Sequence, residues 1–376
     1  MTAFSPEELQ RYARHFSLNE IGIAGQEKLK KAKVLLVGAG GIGSPAAYYL
    51  AAAGIGTLGI VDDDRIDVSN LQRQILFSTD QVGQHKAEVA RTRVMALNPH
   101  VQVNVYPVRL TAENAHDIIR EYDVVIDGSD NYPTRYLVGD VCADLKKPLV
   151  ASSIYQLTGQ LSVFNYQEGP CYRCLYPSPP PAGLVPNCAQ AGVLGVIAGI
   201  LGTLAVNEVI KIVVGIGAPL SGCLATFDAL NSDFKKYHVD RHAECPICVH
   251  HTLFKDLPHY AEAAPVCGTL AYALSALQLQ ALYQQPPVGL VVLDVREPWE
   301  RELCKIDPSI HIPLGQVAGA TLPFESTQPV VVYCKAGVRS AHAADILRQR
   351  GCVNVSHLDG GILAWIREVS PALTSY

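Results

Sequence analysis

Cys334 has the surroundings that a nucleophilic thiol needs. It follows an apolar run at residues 330–333, which predicts a strand, and it opens a short loop before a predicted helix. The loop consists of Cys334, Lys335, Ala336, Gly337, Val338 and Arg339. Its small alanine and glycine allow backbone amides to converge on the sulfur, and its arginine adds positive charge, so the thiolate is favoured over the thiol. The loop therefore predicts sulfur chemistry.

A glycine-rich segment near the other end of the chain predicts a nucleotide site. The sequence Gly-Ala-Gly-Gly-Ile-Gly at residues 38–43 follows a predicted strand and opens a predicted helix, so its amides can receive phosphate. Asp62 ends the next predicted strand, where a carboxylate can bind ribose hydroxyls. Taken alone, these residues also fit an NAD-dependent oxidoreductase, which stays open as an alternative function.

Further charged residues favour cleavage of a triphosphate over hydride transfer. Arg73 and Lys86 supply the positive charge that phosphate oxygens need, whereas a hydride-transfer site has little use for them. Asp130 follows the fourth predicted strand and can hold the Mg²⁺ that accompanies the phosphates. For single residues, a surface salt bridge for Arg73 or Lys86 and a helix N-cap for Asp130 are the alternatives.

The cysteine spacing predicts a zinc site. Two C-x-x-C pairs fit a closed tetrahedral site, which leaves no position for a substrate and so contributes stability. The predicted ligands are Cys171, Cys174, Cys245 and Cys248. A redox role for one pair is the alternative. Cys188 lies outside both pairs, after a proline-rich stretch at residues 176–181, in a loop that we expect to be exposed.

Composition narrows the class of protein. A chain of 376 residues is expected to form two domains, and its net charge of -5 argues against a nucleic-acid binder. We expect no membrane partner, because the longest apolar stretch, residues 191–214, is interrupted by glycines and charged residues and predicts a buried helix. The lack of a signal-peptide pattern predicts the cytoplasm. In such a reducing compartment the eleven cysteines, an odd number, are expected to be metal ligands, nucleophiles or buried residues, not disulfides.

Alternating apolar runs and helical segments predict an α/β fold with mostly parallel sheets. Residues 1–250 are predicted to form a Rossmann-like ATP-binding domain that carries the zinc site. A proline-containing linker is predicted at residues 251–280, and a smaller α/β domain at residues 281–376. The predicted strands of the two domains are residues 34–37, 58–61, 101–105, 124–126, 149–150, 161–164, 223–227, 234–237, 291–294, 311–313, 330–333 and 353–355.

The first domain resembles the MoeB/ThiF adenylyltransferases, bacterial relatives of the ubiquitin-activating enzymes, over about residues 8–249. The resemblance is carried by residues 11–16, 38–43 and 69–74 together with Lys86 and the Asp-Asn pair at 130–131. It implies a homodimer in which Arg14 reaches the ATP of the partner subunit, and it places Cys188 where relatives form an acyl thioester or acyl disulfide with a carrier protein. The implied ligands of ATP and Mg²⁺ are Gly41, Asp62, Ser69, Asn70, Leu71, Gln72, Arg73, Lys86, Asp130 and Asn131.

The second domain resembles a rhodanese domain from about residue 277 onward. The segments at residues 293–300, 311–314, 334–340 and 358–365 carry this resemblance, which implies a persulfide on Cys334. Asp294 and Arg296 are interpreted as structural or as lining the pocket. A phosphatase, which also uses a loop with a cysteine and an arginine, is an alternative that the other segments disfavour.

Together, the two halves predict an adenylyltransferase and sulfurtransferase. It would adenylate the C-terminal glycine of a small ubiquitin-like sulfur carrier and then form a thiocarboxylate, with ATP, Mg²⁺ and Zn²⁺ as cofactors. The expected sulfur donor is a cysteine desulfurase or thiosulfate. A non-catalytic module that binds the carrier is a further alternative. The sequence leaves the pathway open among molybdopterin, thiamin, cysteine, siderophore and tRNA sulfuration.

Overall fold

The structure is a computed structural model that describes residues 4–179, 192–250, 252 and 272–376. These residues form two compact units, the first from residue 4 to residue 252 and the second from residue 272 to residue 376. Each unit contains its own sheet, so the predicted α/β fold class is confirmed.

The first unit is built on an eight-stranded sheet with the order β3-β2-β1-β4-β5-β6-β7-β8. The first five of these strands pair in parallel, and β6 to β8 continue the sheet in antiparallel pairing. Nearly continuous apolar runs form the central strands because both faces of a parallel sheet are covered by helices. The strands are β1 (Lys33–Val37), β2 (Thr57–Val61), β3 (Gln102–Tyr106), β4 (Val124–Asp127), β5 (Leu149–Tyr155), β6 (Thr158–Phe164), β7 (Cys223–Asp228) and β8 (Asp233–His238).

Helices cover this sheet and connect its parallel strands. The longest, Gly195–Val214, packs against β5, β6 and the helix Gly43–Ala53, and nine of its 20 residues are buried. By length and composition alone it could cross a membrane, but its packing is that of the core helix that the sequence predicts. The helices of the first unit are Pro6–Arg11, Ala13–Phe16, Gly22–Lys31, Gly43–Ala53, Lys86–Leu97, Ala115–Ile119, Tyr132–Asp144, Tyr172–Leu175 and Gly195–Val214.

The second unit has a five-stranded parallel sheet with the order β11-β10-β12-β13-β9. Its strands are β9 (Tyr272–Leu274), β10 (Val291–Asp294), β11 (Ile310–His311), β12 (Val330–Tyr333) and β13 (Val355–Leu358). Its helices are Ala276–Gln284, Pro298–Leu303, Leu314–Val317, Val338–Gln349 and Gly361–Glu368.

Part of the predicted linker belongs to this second sheet. Residues 272–280 form β9 and the start of the helix Ala276–Gln284, and β9 pairs with β13. The sequence interpretation missed them because β9 has three residues, too few to show an alternating pattern. The strand predicted at residues 353–355 corresponds to β13, which begins two residues later, at Val355.

Candidate functional site

A cavity of about 370 Å³ opens in the first unit where the parallel strands β1, β2 and β4 end. In doubly wound sheets, ligands bind at the carboxyl ends of the strands, and this volume suits a small molecule. The predicted site residues that line the cavity are Gly41, Asp62, Arg73, Lys86, Asp130 and Asn131. The fold therefore brings together six residues that are up to 90 positions apart in sequence.

The glycine-rich segment forms a close-packed wall of this cavity. Gly38 has a φ of +88°, in the left-handed region that favours glycine. A Cβ on Gly43 would lie 2.0 Å from the carbonyl oxygen of Gly38, so glycine is needed where the helix Gly43–Ala53 begins. At Gly41 a Cβ would lie 3.2 Å from that of Ala198. Glycine at these positions thus allows the segment to pack closely against its neighbours.

Asp62 is held at the end of β2 by two backbone amides. The amide of Ala39 donates to Oδ2 at 2.8 Å, and that of Asp64 donates to Oδ1 at 2.9 Å. Burial, opposed in part by the Lys86 ammonium, raises the pKa of Asp62 above its ordinary value. Each carboxylate oxygen can accept a second hydrogen bond, so the group is able to receive ribose hydroxyls.

Lys86 presents a buried ammonium group to the cavity. The residue is 4 % exposed, and its Nζ lies 2.7 Å from Oδ2 of Asp64, whose side chain is 67 % exposed. Although Lys86 is paired with Asp64, its burial rules out the alternative of a salt bridge between two exposed side chains. Arg73 donates from a terminal guanidinium nitrogen to the carbonyl of Ser69 at 2.9 Å while lining the same cavity. Two cationic groups thus face the space where phosphates would lie.

Of the two residues after β4 that the sequence singles out, one caps a helix and the other lines the cavity. Asn131, not Asp130, is the N-cap of the helix Tyr132–Asp144, because its side-chain oxygen accepts a hydrogen bond from the amide of Thr134 at 2.9 Å. This leaves the exposed Asp130 carboxylate at the cavity wall, where it is suited to a cation. The alternative of an N-cap for Asp130 is therefore wrong.

Arg135 and Gln74 are two of the cavity residues that the sequence prediction did not include. Arg135 donates from Nε and a terminal nitrogen to the carbonyl of Ser129, at 3.2 and 2.9 Å, and so braces the turn before Asp130. Gln74 is buried, and its Oε1 has no hydrogen-bond partner among the described residues. Arg135 lies five residues after Asp130, in the first turn of the helix Tyr132–Asp144. A cationic residue so close to Asp130 is the signal that could have identified it.

Other predicted site residues lie outside the cavity wall formed by the described residues. They are Arg14, Ser69, Asn70, Leu71 and Gln72. The turn at Val68–Asn70 is closed by reciprocal hydrogen bonds between Asp67 and Asn70 and leads to Arg73. Arg14 is exposed on the short helix Ala13–Phe16. Cys188 lies outside the described residues.

The four predicted zinc ligands converge. All four sulfur atoms lie within 4.8 Å of one another, with close pairs at 3.7, 3.4 and 3.5 Å. A tetrahedral ion with Zn–S bonds of about 2.3 Å needs sulfur atoms about 3.8 Å apart, so the donor set fits zinc. Between the first two ligands, Arg173 forms a buried ion pair with Asp140 at 2.8 Å, which ties this turn to the helix Tyr132–Asp144.

In the second unit, the loop after β12 buries Cys334 and directs a backbone amide at its sulfur. Cys334 is 1 % exposed, and the amide of Gly337 donates to its Sγ at 3.1 Å. Gly337 has a φ of +96°, which a residue with a side chain rarely adopts. At the start of the helix Gly361–Glu368, amides donate to the carbonyl oxygens of Cys334 and Lys335 at 2.8 and 3.1 Å. The loop is thus fixed by hydrogen bonds on two sides.

Arg339 has a different partner from the one that the sequence suggests. Its guanidinium forms a bidentate ion pair with Glu300, at 2.6 and 2.7 Å. Although burial raises the pKa of Glu300, the hydrogen bonds and charge of Arg339 hold it below its ordinary value. Glu300 therefore balances the charge of Arg339. The hydrogen bond to the Cys334 sulfur comes from the Gly337 amide.

Asp294 and Arg296 form a structural pair. Both side chains are fully buried, and they are joined by a contact of 2.8 Å. The hydroxyl of Tyr333 also donates to Asp294 at 2.8 Å, so the pair supports the residue that precedes Cys334. This agrees with the structural role predicted for both residues.

Comparison with known proteins gives a family for each part. Residues 12–247 match the ThiF family, and residues 275–368 match the rhodanese-like domain. Relatives include a sulfur carrier protein adenylyltransferase of Thermus thermophilus, 51% identical over 68% of this chain and 97% of that protein. The probable adenylyltransferase/sulfurtransferase MoeZ of Mycobacterium tuberculosis is 39% identical over 100% of this chain and 97% of that protein.

Two further comparisons give a consistent result. The adenylyltransferase and sulfurtransferase MOCS3 of Drosophila yakuba is 39% identical over 100% of this chain and 86% of that protein. A crystal structure of E. coli MccB with ATP has a TM-score of 0.57 over 63% of this chain and 74% of that chain, at 23% identity, and shows a common fold. The family match decides against an NAD-dependent oxidoreductase. The chain belongs to the ThiF family and carries a C-terminal rhodanese-like domain, the organisation that the sequence predicts.

Proposed function

We propose that this enzyme adenylates the C-terminal glycine of a small ubiquitin-like sulfur-carrier protein and then transfers sulfur to it from Cys334. The main support is the cavity of the first unit, where Arg73, Lys86 and Asp130 meet at the ends of parallel strands. The names of full-length relatives, which combine adenylyltransferase and sulfurtransferase, support the same pairing of activities.

In the first step, the glycine carboxylate attacks the α-phosphorus of ATP, and pyrophosphate leaves with the bonding electrons. Arg73 and Lys86 stabilise the negative charge that develops on the phosphate oxygens. We propose that Asp130 holds Mg²⁺, which neutralises phosphate charge when it is bound. Asp62 orients the nucleotide through the ribose, and Asn131 fixes the turn that carries Asp130.

In the second step, the terminal sulfur of a Cys334 persulfide attacks the acyl-adenylate, and AMP leaves. The product is an acyl disulfide between the carrier and Cys334. Attack on the Cys334 sulfur by a second thiol, for which we propose Cys188, releases the thiocarboxylate. The resulting disulfide between Cys334 and Cys188 is then reduced by an external thiol. Each step is a substitution at carbonyl carbon or sulfur, as nucleophilic catalysis requires.

Exchange of labelled pyrophosphate into ATP tests the adenylation step. We expect exchange only when Mg²⁺ and a carrier protein with an intact C-terminal glycine are present, because the acyl-adenylate must form before pyrophosphate can return. A carrier shortened by its last glycine is the control. Exchange that does not depend on the carrier would contradict the proposed substrate.

We propose that the cysteine cluster binds a structural zinc ion. Substitution of Cys248→Ser should remove zinc and lower Tm by about 10 °C, since losing about 3–5 kcal/mol shifts a domain of this size by that amount. Elemental analysis and thermal melting measure the two effects. Cys223→Ser is the matched control, because Cys223 is partly buried like Cys248 but lies outside the cluster. Retention of zinc by Cys248→Ser would refute the site.

We also propose a homodimer located in the cytoplasm, with Arg14 completing the nucleotide site of the partner subunit. Arg14 is exposed, and so are the apolar side chains of Leu18 and Ile23 on the same surface segment, at 48 % and 47 %. As the sulfur donor we propose a cysteine desulfurase or thiosulfate. The carrier protein would be that of one of the sulfuration pathways named above, molybdenum cofactor biosynthesis among them.

A further inference from the structure

Tyr376 packs against the loop that carries Cys334. Its ring lies below the side chain of Lys335, whose Nζ is 4.6 Å from the ring centroid. Its hydroxyl donates to Oε1 of Glu300 at 3.0 Å and accepts a hydrogen bond from Arg296 at 2.7 Å. The rings of Trp299 and Tyr376 also pack edge to face, with their centroids 5.9 Å apart. This tyrosine is therefore held by four neighbours.

Tyr376 contacts one cation of the loop, Lys335, directly and is linked to the other, Arg339, through Glu300. Lys335 is held by the face of the ring, which attracts cations through its negative quadrupole. Arg339 is reached through Glu300, which receives the tyrosine hydroxyl and the arginine guanidinium on the same carboxylate. The two cations differ in whether a neighbouring anion neutralises their charge. The charge of Arg339 is balanced by Glu300, whereas the ring that Lys335 contacts is neutral.

We propose that Tyr376 is a positioning residue for sulfur transfer: it holds the Lys335 charge beside Cys334 so that anionic sulfur compounds are attracted to the thiol. This deepens the proposed function and rests on Cys334 as the sulfur carrier. Lys335 directly follows Cys334 in the loop, and a charge held near a reacting atom raises the local concentration of anions. A lysine free to swing into water would do so much less, because its field would be screened.

Alkylation of Cys334 by an anion and by a neutral reagent tests this role. The rate constants for iodoacetate and iodoacetamide are measured on the full-length protein from the Cys334 peptide by mass spectrometry. In Tyr376→Leu, we expect the ratio of the iodoacetate to the iodoacetamide rate to fall about threefold, the size of effect that one nearby charge has in water. A purely structural role would change both rates together and leave the ratio unchanged.

Lys335→Met should lower the ratio to the same extent, because it removes the charge directly. The double variant should then show no further decrease, since Tyr376 acts through Lys335. The matched control is Tyr283→Leu, which also removes a ring and a hydroxyl from the second unit. Tyr283 packs against Trp365 and donates to the carbonyl of Pro308, away from the loop. Its ratio should equal that of the wild type.

An unchanged ratio in Tyr376→Leu, or a fall of equal size in Tyr283→Leu, would overturn the inference. The proposed function is tested separately on the wild type. After incubation with thiosulfate, Cys334 should carry one additional sulfur atom in its mass spectrum. Failure to detect this sulfur with either proposed donor would contradict the role of Cys334, whatever the alkylation ratio shows.

Discussion

Substitution of Lys86→Met should reduce carrier-dependent exchange of pyrophosphate into ATP by at least about 100-fold, the usual loss when one preorganised charge-stabilising group is removed. The Lys86 ammonium is buried at the cavity wall, where low dielectric strengthens its interaction with phosphate oxygens. Methionine has a similar length and no charge, so it fills the same space. The exchange rate at saturating ATP and carrier measures the effect, and a thermal melt checks that the variant is folded.

The partner of Lys86 supplies the control. Asp64→Asn removes the carboxylate that pairs with the ammonium at 2.7 Å but leaves the ammonium itself in place. If Lys86 acts on the phosphates, this variant should keep most of the exchange activity. Equal losses in Lys86→Met and Asp64→Asn would show that the ion pair is structural, and the proposed role of Lys86 would then be wrong.

The convergence of the cavity residues was predictable because strand ends determine where these residues lie. In a parallel sheet the carboxyl ends of β1, β2 and β4 meet at one edge, so residues that follow those strands must converge. The glycine segment, Asp62 and Asp130 each follow such a strand. The cluster of four cysteines was predictable for a different reason, because pairs at a spacing of three residues place two sulfur atoms on one side of a turn.

Contacts between distant segments could not be predicted in this way. Arg339 pairs with Glu300 across 39 positions, and no local pattern indicates that the loop arginine has a carboxylate partner. Tyr376 lies 41 positions from Lys335, and its ring contact depends on how the second unit packs. Asn131 and Asp130 are both good N-cap residues, so only the backbone geometry decides which of them caps the helix.

Substitution of Cys334→Ala should abolish thiocarboxylate formation, with a loss of at least about 1,000-fold, because the nucleophile of the second step is removed. Exchange of pyrophosphate into ATP should stay near the wild-type rate, because the cavity proposed to bind ATP lies in the first unit. The two readouts therefore separate the two half-reactions. Intact-mass measurement of the carrier shows the thiocarboxylate directly, since one oxygen is replaced by sulfur.

Cys352→Ala is the matched control for this variant. Cys352 is buried in the second unit as Cys334 is, at 3 % exposure, and both belong to one hydrophobic cluster. Its loss removes the same sulfur atom and creates a cavity of similar size, so it reports the cost to stability alone. Thiocarboxylate formation should persist in Cys352→Ala and fail in Cys334→Ala. Persistence in both would mean that a donor attacks the acyl-adenylate directly, and the persulfide on Cys334 would then not be an intermediate.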